Sequence, residues 1–226
     1  MALFTRQPEI ELTPIEGHED LALVDSGEVE GLLDSLAMDT FDYADTQALP
    51  DDLARALETG LFGVTGLEAA TNATVVAGRA VARIGYMARV AEWERVPAAR
   101  KAGGWMCAGL RGAVESSVSE ELRESGAGAS FYDALGEITA FFVAREPLDV
   151  PYDAQEGLKP MWTVPGMGGD FRALLRDRTL EMALPREGNR LSGPAGPIDD
   201  ASFDDLQRVW KYGFLLRAFE EFFREE

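Results

Sequence analysis

The chain has 226 residues, forty acidic and twenty-one basic, with a formal charge of −19 and 46% hydrophobic content. That composition excludes a disordered or fibrous chain, and the length allows a domain that buries roughly 70% of its unfolded surface. The charge argues against free nucleic acid or anionic lipid as the main ligand, because the phosphate term is repulsive over most of the surface.

Residues 1–20 alternate weakly (Ile10, Leu12, Ile15) between prolines, which predicts an extended arm or edge strand. Leu32, Leu33 and Leu36 then predict a short amphipathic helix that starts near Ser26 and runs to Met38. Residues 39–47 read as a polar loop holding Phe41 and Tyr43. Pro50, Asp51 and Asp52 open a further helix lined by Leu53, Leu57 and Leu61, with acids where the helix dipole favours them.

Residues 66–96 carry the longest helical pattern, with Val76, Ala80, Ile84, Met87 and Val90 as the apolar stripe. Gly78 and Gly85, seven apart among alanines, predict the close approach of another helix. Helices are also expected over 105–124, with Leu110, Val114, Val118 and Leu122, and over 130–145, with Phe131, Leu135, Ile138, Phe141 and Phe142. Residues 147–169 read as a Pro/Gly-rich loop, residues 170–184 as a helix and residues 185–197 as a turn-rich stretch. A last helix with Trp210, Phe214, Phe219 and Phe222 runs to the end.

The expected class is therefore mainly α: a multi-helix domain of six to seven helices with an extended N-terminal arm and long Pro/Gly-rich loops. Its expected divisions are an acidic arm and short helix (1–48), a central helical core (49–146), a loop (147–169) and a C-terminal helical segment packed on the core (170–226).

Charge is unevenly placed along the chain. Residues 1–65 hold fifteen acids against Arg6 and Arg55, whereas residues 66–111 hold three acids against seven bases. Such a division predicts an acidic first quarter and a basic middle that face each other or neighbouring molecules. Only three lysines accompany the arginines, which fits adaptation to high salt, a GC-rich genome, or mimicry of a polyanion by an inhibitor.

Chemical motifs are sparse. His18 is the single histidine and Cys107 the single cysteine, so neither a histidine-based metal cluster nor an internal disulfide is expected. Gly166, Gly168 and Gly169 lack the lysine and serine of a phosphate loop. Asp149, Asp153 and Glu156 lack the spacing of a calcium loop, and Asp199, Asp200, Asp204 and Asp205 read as helix-start acids. No catalytic residue, cofactor or metal is assigned.

The sequence favours a non-enzymatic assembly or interaction protein, a small acidic subunit that bridges partners or self-associates. A virion or head–tail connector component from a saline host is one instance. The alternatives are an acidic immunity or inhibitor protein, or a helical enzyme using carboxylates with or without a divalent metal. Candidate interaction residues are Arg79, Arg83, Arg89, Trp210, Phe214, Phe219 and Phe222. Without a basic n-region, a signal-like apolar segment or a membrane-length apolar run, a cytoplasmic protein or a particle assembled there is expected.

Overall fold

The computed structural model describes residues 13–15, 18–23, 26–65, 70–96, 129–145, 171–188 and 190–225. The protein is mainly α, with six helices and two small antiparallel sheets among the described residues. The helices are α1 (Ser26–Thr46), α2 (Asp51–Thr65), α3 (Asn72–Arg95), α4 (Ala129–Arg145), α5 (Phe171–Ala183) and α6 (Phe203–Glu225). The expected helix over 105–124 and the expected loop over 147–169 lie outside the described residues, as does Cys107.

Of the expected N-terminal arm the described part is extended: β1 (Thr13–Ile15) pairs antiparallel with β2 (His18–Leu23), with a register shift between Pro14 and Ile15, and residues 1–12 lie outside the described residues. Helix α1 then continues eight residues beyond its predicted end and takes in most of the expected polar loop. Tertiary contacts explain the extension. Thr40 and Thr46 donate their hydroxyls to the carbonyls of Leu36 and Asp42, one turn back. Asp39 pairs with Arg95, and the Tyr43 hydroxyl donates to Glu94 at 2.8 Å, so this polar stretch is pinned to α3 in helical form.

Helix α3 begins at Thr71, whose hydroxyl accepts the Thr74 N–H at 3.4 Å. Asp200 reaches back from 129 residues away to accept the Thr71 N–H at 2.6 Å, so the start of α3 is tied to the approach to α6. Helix α6 opens with a reciprocal cap. The Asp205 N–H donates to the Ser202 hydroxyl at 3.1 Å, and the Ser202 N–H donates to the Asp205 carboxylate at 2.9 Å.

The turn-rich stretch after α5 is a three-stranded meander of β3 (Arg186–Glu187), β4 (Arg190–Gly193) and β5 (Gly196–Ile198). Strands this short carry no visible alternation, which is why the stretch reads as turns in the sequence. Leu191 faces Ile198 across the ladder, and both are buried against the helices.

Helices α3 and α6 form the central pair, with α1, α2 and α5 against α3 and with α2, α4 and α5 against α6. From Ile84 to Glu92, α3 is buried on every face. The single apolar stripe expected there is thus too narrow, and Val76 and Ala80 are only half-buried. The helices cross at two glycines. A Cβ on Gly85 would run into the Trp210 carbonyl, and one on Gly213 into the Ala82 carbonyl. Of the two glycines singled out in α3, Gly85 therefore marks a close helix approach, with α6 as the partner.

Candidate functional site

Four of the candidate interaction residues lie inside the bundle. Arg89, Trp210, Phe214 and Phe219 are buried in the chain's own core. The Trp210 and Phe214 rings stack at 5.2 Å, and the indole N–H donates to the Thr179 hydroxyl at 2.9 Å. Phe219 meets Phe142 edge-on at 6.0 Å. Arg79 is exposed and paired with Glu58, while Arg83 is half-buried and donates to the Ala44 and Gln47 carbonyls at the end of α1. The Phe222 side chain lies outside the described residues. At Arg79, Arg83 and Arg95 the basic middle meets the acidic first quarter.

The densest chemistry is a charged cluster in the core where α3, α4, α5 and α6 converge. Glu92 accepts a two-pronged contact from Arg172, with Nε at 2.8 Å and Nη2 at 3.2 Å, and Arg89 Nη1 at 2.7 Å. Arg89 turns its Nε to Glu221 at 3.0 Å, and Arg217 Nε reaches the other Glu221 oxygen at 3.0 Å. Glu220 accepts the Tyr132 hydroxyl at 2.7 Å and the Tyr86 hydroxyl, with Arg217 Nη1 at 3.4 Å. Three guanidiniums therefore face three carboxylates, so the cluster is neutral as a whole. Arg89 and Arg172 also lie over the Phe214 ring, at 5.8 and 5.2 Å.

Burial and pairing compete at each group. Burial would raise the Glu92 carboxyl, yet Arg172 and Arg89 outweigh it and hold its pKa below the ordinary value. Burial prevails at Glu221, whose pKa is raised although Arg89 and Arg217 oppose the shift. Arg172 is lowered because burial is the largest influence, and its Nη1 has no hydrogen-bond partner among the described residues. Each carboxylate accepts from at least two donors on other residues, so each is held in place by its neighbours. The arrangement suits holding helices in register better than proton transfer.

Burial first, and then the neighbouring Glu94 or Glu220, raises the Tyr43 and Tyr86 phenols; burial alone raises Tyr212. Their folded pKa values stand above the unfolded value of 10.0, so this stability is complete below pH 10.0 and is lost as the pH climbs past it. Alkaline titration of native protein followed by ultraviolet absorbance is expected to show these three phenols ionising only as the chain unfolds. Normal titration of all tyrosines near pH 10 in folded protein would contradict their burial.

Of this cluster the sequence singles out Arg89 alone; Glu92, Arg172, Arg217, Glu220, Glu221, Tyr86 and Tyr132 are not among the candidates. A signal was available: Arg89 and Glu92 interrupt an apolar run from Tyr86 to Trp93, and Glu220 and Glu221 interrupt an aromatic one. Charges inside such runs either break a helix face or meet each other across it. No group of three or more His, Cys, Asp or Glu poised for a metal occurs among the described residues, and no described helix is long and apolar enough to cross a membrane. No family model matches the chain, and neither a curated protein nor a solved structure matches it.

Proposed function

We propose that this protein is a non-enzymatic interaction or assembly subunit that meets its partner through the face formed by α1 and α5. The observation that carries this reading is a row of large apolar side chains left in solvent. Met38 is 57% exposed, Leu174 47% and Met182 45%. Met38 follows Glu30 and Asp34 at spacings of four along α1, and Leu174, Arg178 and Met182 repeat at four along α5. Arg178 ties the two helices together, bonding Glu30 at 2.7 Å and Asp34 at 3.1 Å. The α1 side continues into exposed Asp42 and Asp45.

Apolar side chains bordered by carboxylates suit a partner surface that combines basic and apolar groups. The burial of Trp210, Phe214 and Phe219 supports the same reading: of the four large apolar side chains exposed among the described residues, three lie on α1 and α5 and the fourth is Phe141 of α4. Light scattering at low and high salt on protein isolated from its native cells tests the proposal. A defined complex well above 24.6 kDa, weakened by salt, is expected. A monomer of 24.6 kDa at every salt concentration, with no stoichiometric partner, would overturn it.

A further inference from the structure

We propose that the cleft between the β3–β4–β5 meander and the start of α6 binds a small amphipathic anion. The cleft has a volume of about 390 Å³ and is walled by Arg186, Arg190, Leu191, Ile198 and Phe203, with Gly188, Asp199, Ala201 and Ser202 completing it. That volume falls within the range of small-molecule sites, roughly 300–1,000 Å³.

The wall divides by chemistry. Leu191 and Ile198 are buried and make an apolar floor with Ala201 and the Phe203 ring. Arg186 lies 4.3 Å above that ring, which holds its guanidinium plane at the rim. It has no carboxylate partner among the described residues. Arg190, on the neighbouring strand and cross-strand from Glu187, meets Asp199 at 3.5 Å, a loose and exposed pair. Of the side chains in the wall itself, two are guanidiniums and one is a carboxylate, and Arg186 is the guanidinium that the carboxylate does not meet.

The start of α6 is not the recruiting feature, since Ser202 and Asp205 already cap each other. Recognition falls to the two arginines for the acid group and to the Phe203 floor for the apolar body. A carboxylate or phosphate on a single ring or short chain has the required chemistry. Neutral molecules of the same shape lack a group for the rim.

Nuclear magnetic resonance titration with phenyl phosphate, against benzyl alcohol as the neutral control, tests this. Saturable shifts confined to amides of residues 186–203 are expected with phenyl phosphate and not with benzyl alcohol. The double variant Arg186→Gln, Arg190→Gln is expected to bind about tenfold more weakly, through loss of charge-assisted hydrogen bonds, while melting at an unchanged temperature. Titration with benzoate, run in parallel, tells a carboxylate preference from a phosphate one. Equal binding of benzyl alcohol, absence of saturation with both anions, or full affinity in the double variant would overturn the assignment.

Discussion

Gly85→Ala is expected to destabilise the protein by about 2–4 kcal/mol, whereas Gly31→Ala stabilises it by about 0.5–1 kcal/mol. Both glycines lie inside helices, and alanine favours either helix by the same intrinsic amount. What separates them is the space each new methyl meets. At Gly31 nothing lies within 4 Å, so only the gain in helix propensity remains. At Gly85 the methyl strikes the backbone carbonyl of Trp210, which cannot rotate away as a side chain can. The two central helices must then separate along the crossing, loosening the contacts of Trp210 and Phe214 beside it. Gly213→Ala, against the Ala82 carbonyl, is expected to behave like Gly85→Ala. Chemical denaturation of the three variants checks the signs; a neutral Gly85→Ala would show that α3 and α6 do not cross at this distance.

The second large effect concerns the charged core. Glu92→Gln is expected to destabilise by about 3–5 kcal/mol, because it strands two buried guanidiniums against a neutral amide. Among the described residues, Arg172 would lose its one carboxylate partner and Arg89 would keep Glu221 alone. Replacing both members of one pair, Glu92→Leu with Arg172→Met, is expected to recover most of that loss. The double change leaves Arg89 and Arg217 against Glu220 and Glu221, so the charges balance again and the interior gains apolar packing. Thermal melting of Glu92→Leu, of Arg172→Met and of the double variant gives the coupling energy. A double variant as unstable as the sum of its singles would mean the pair acts through shape alone.

Helix placement was legible wherever a local signal exists. Pro50 with Asp51 and Asp52 marks the start of α2, and the alanine–glycine run of α3 marks close helix contact. The division of charge was legible too, since Arg79 and Arg95 find Glu58 and Asp39 in the acidic first quarter. The core cluster was not legible, because its members come from four helices and Arg172 meets Glu92 across 80 residues of chain. Arginine and glutamate three apart read as a solvated helix face when their surroundings are unknown. Aromatic residues in α6 similarly read as core or as an anchor for another subunit. Only the packing around Trp210, Phe214 and Phe219 places them inside. The end of α1 was missed because the bonds that hold it, from Asp39 to Arg95 and from Tyr43 to Glu94, are tertiary.

The proposed function separates two duties: α6 and the arginine–glutamate cluster hold the bundle, and the face of α1 and α5 is proposed to meet the partner. A paired comparison of Met38→Glu with Leu174→Glu in one variant, and Phe219→Ala in another, tests it most directly. Both variants are followed by thermal melting and by native mass. The exposed pair is expected to lose the complex while melting within about 2 °C of wild type, as surface changes away from structural contacts do. Phe219→Ala is expected to lose about 3–5 kcal/mol of stability, the cost of truncating a buried aromatic, while its folded fraction still forms the complex at low temperature. The reverse pattern, with assembly lost on truncating Phe219 and untouched by charges at Met38 and Leu174, would contradict the account.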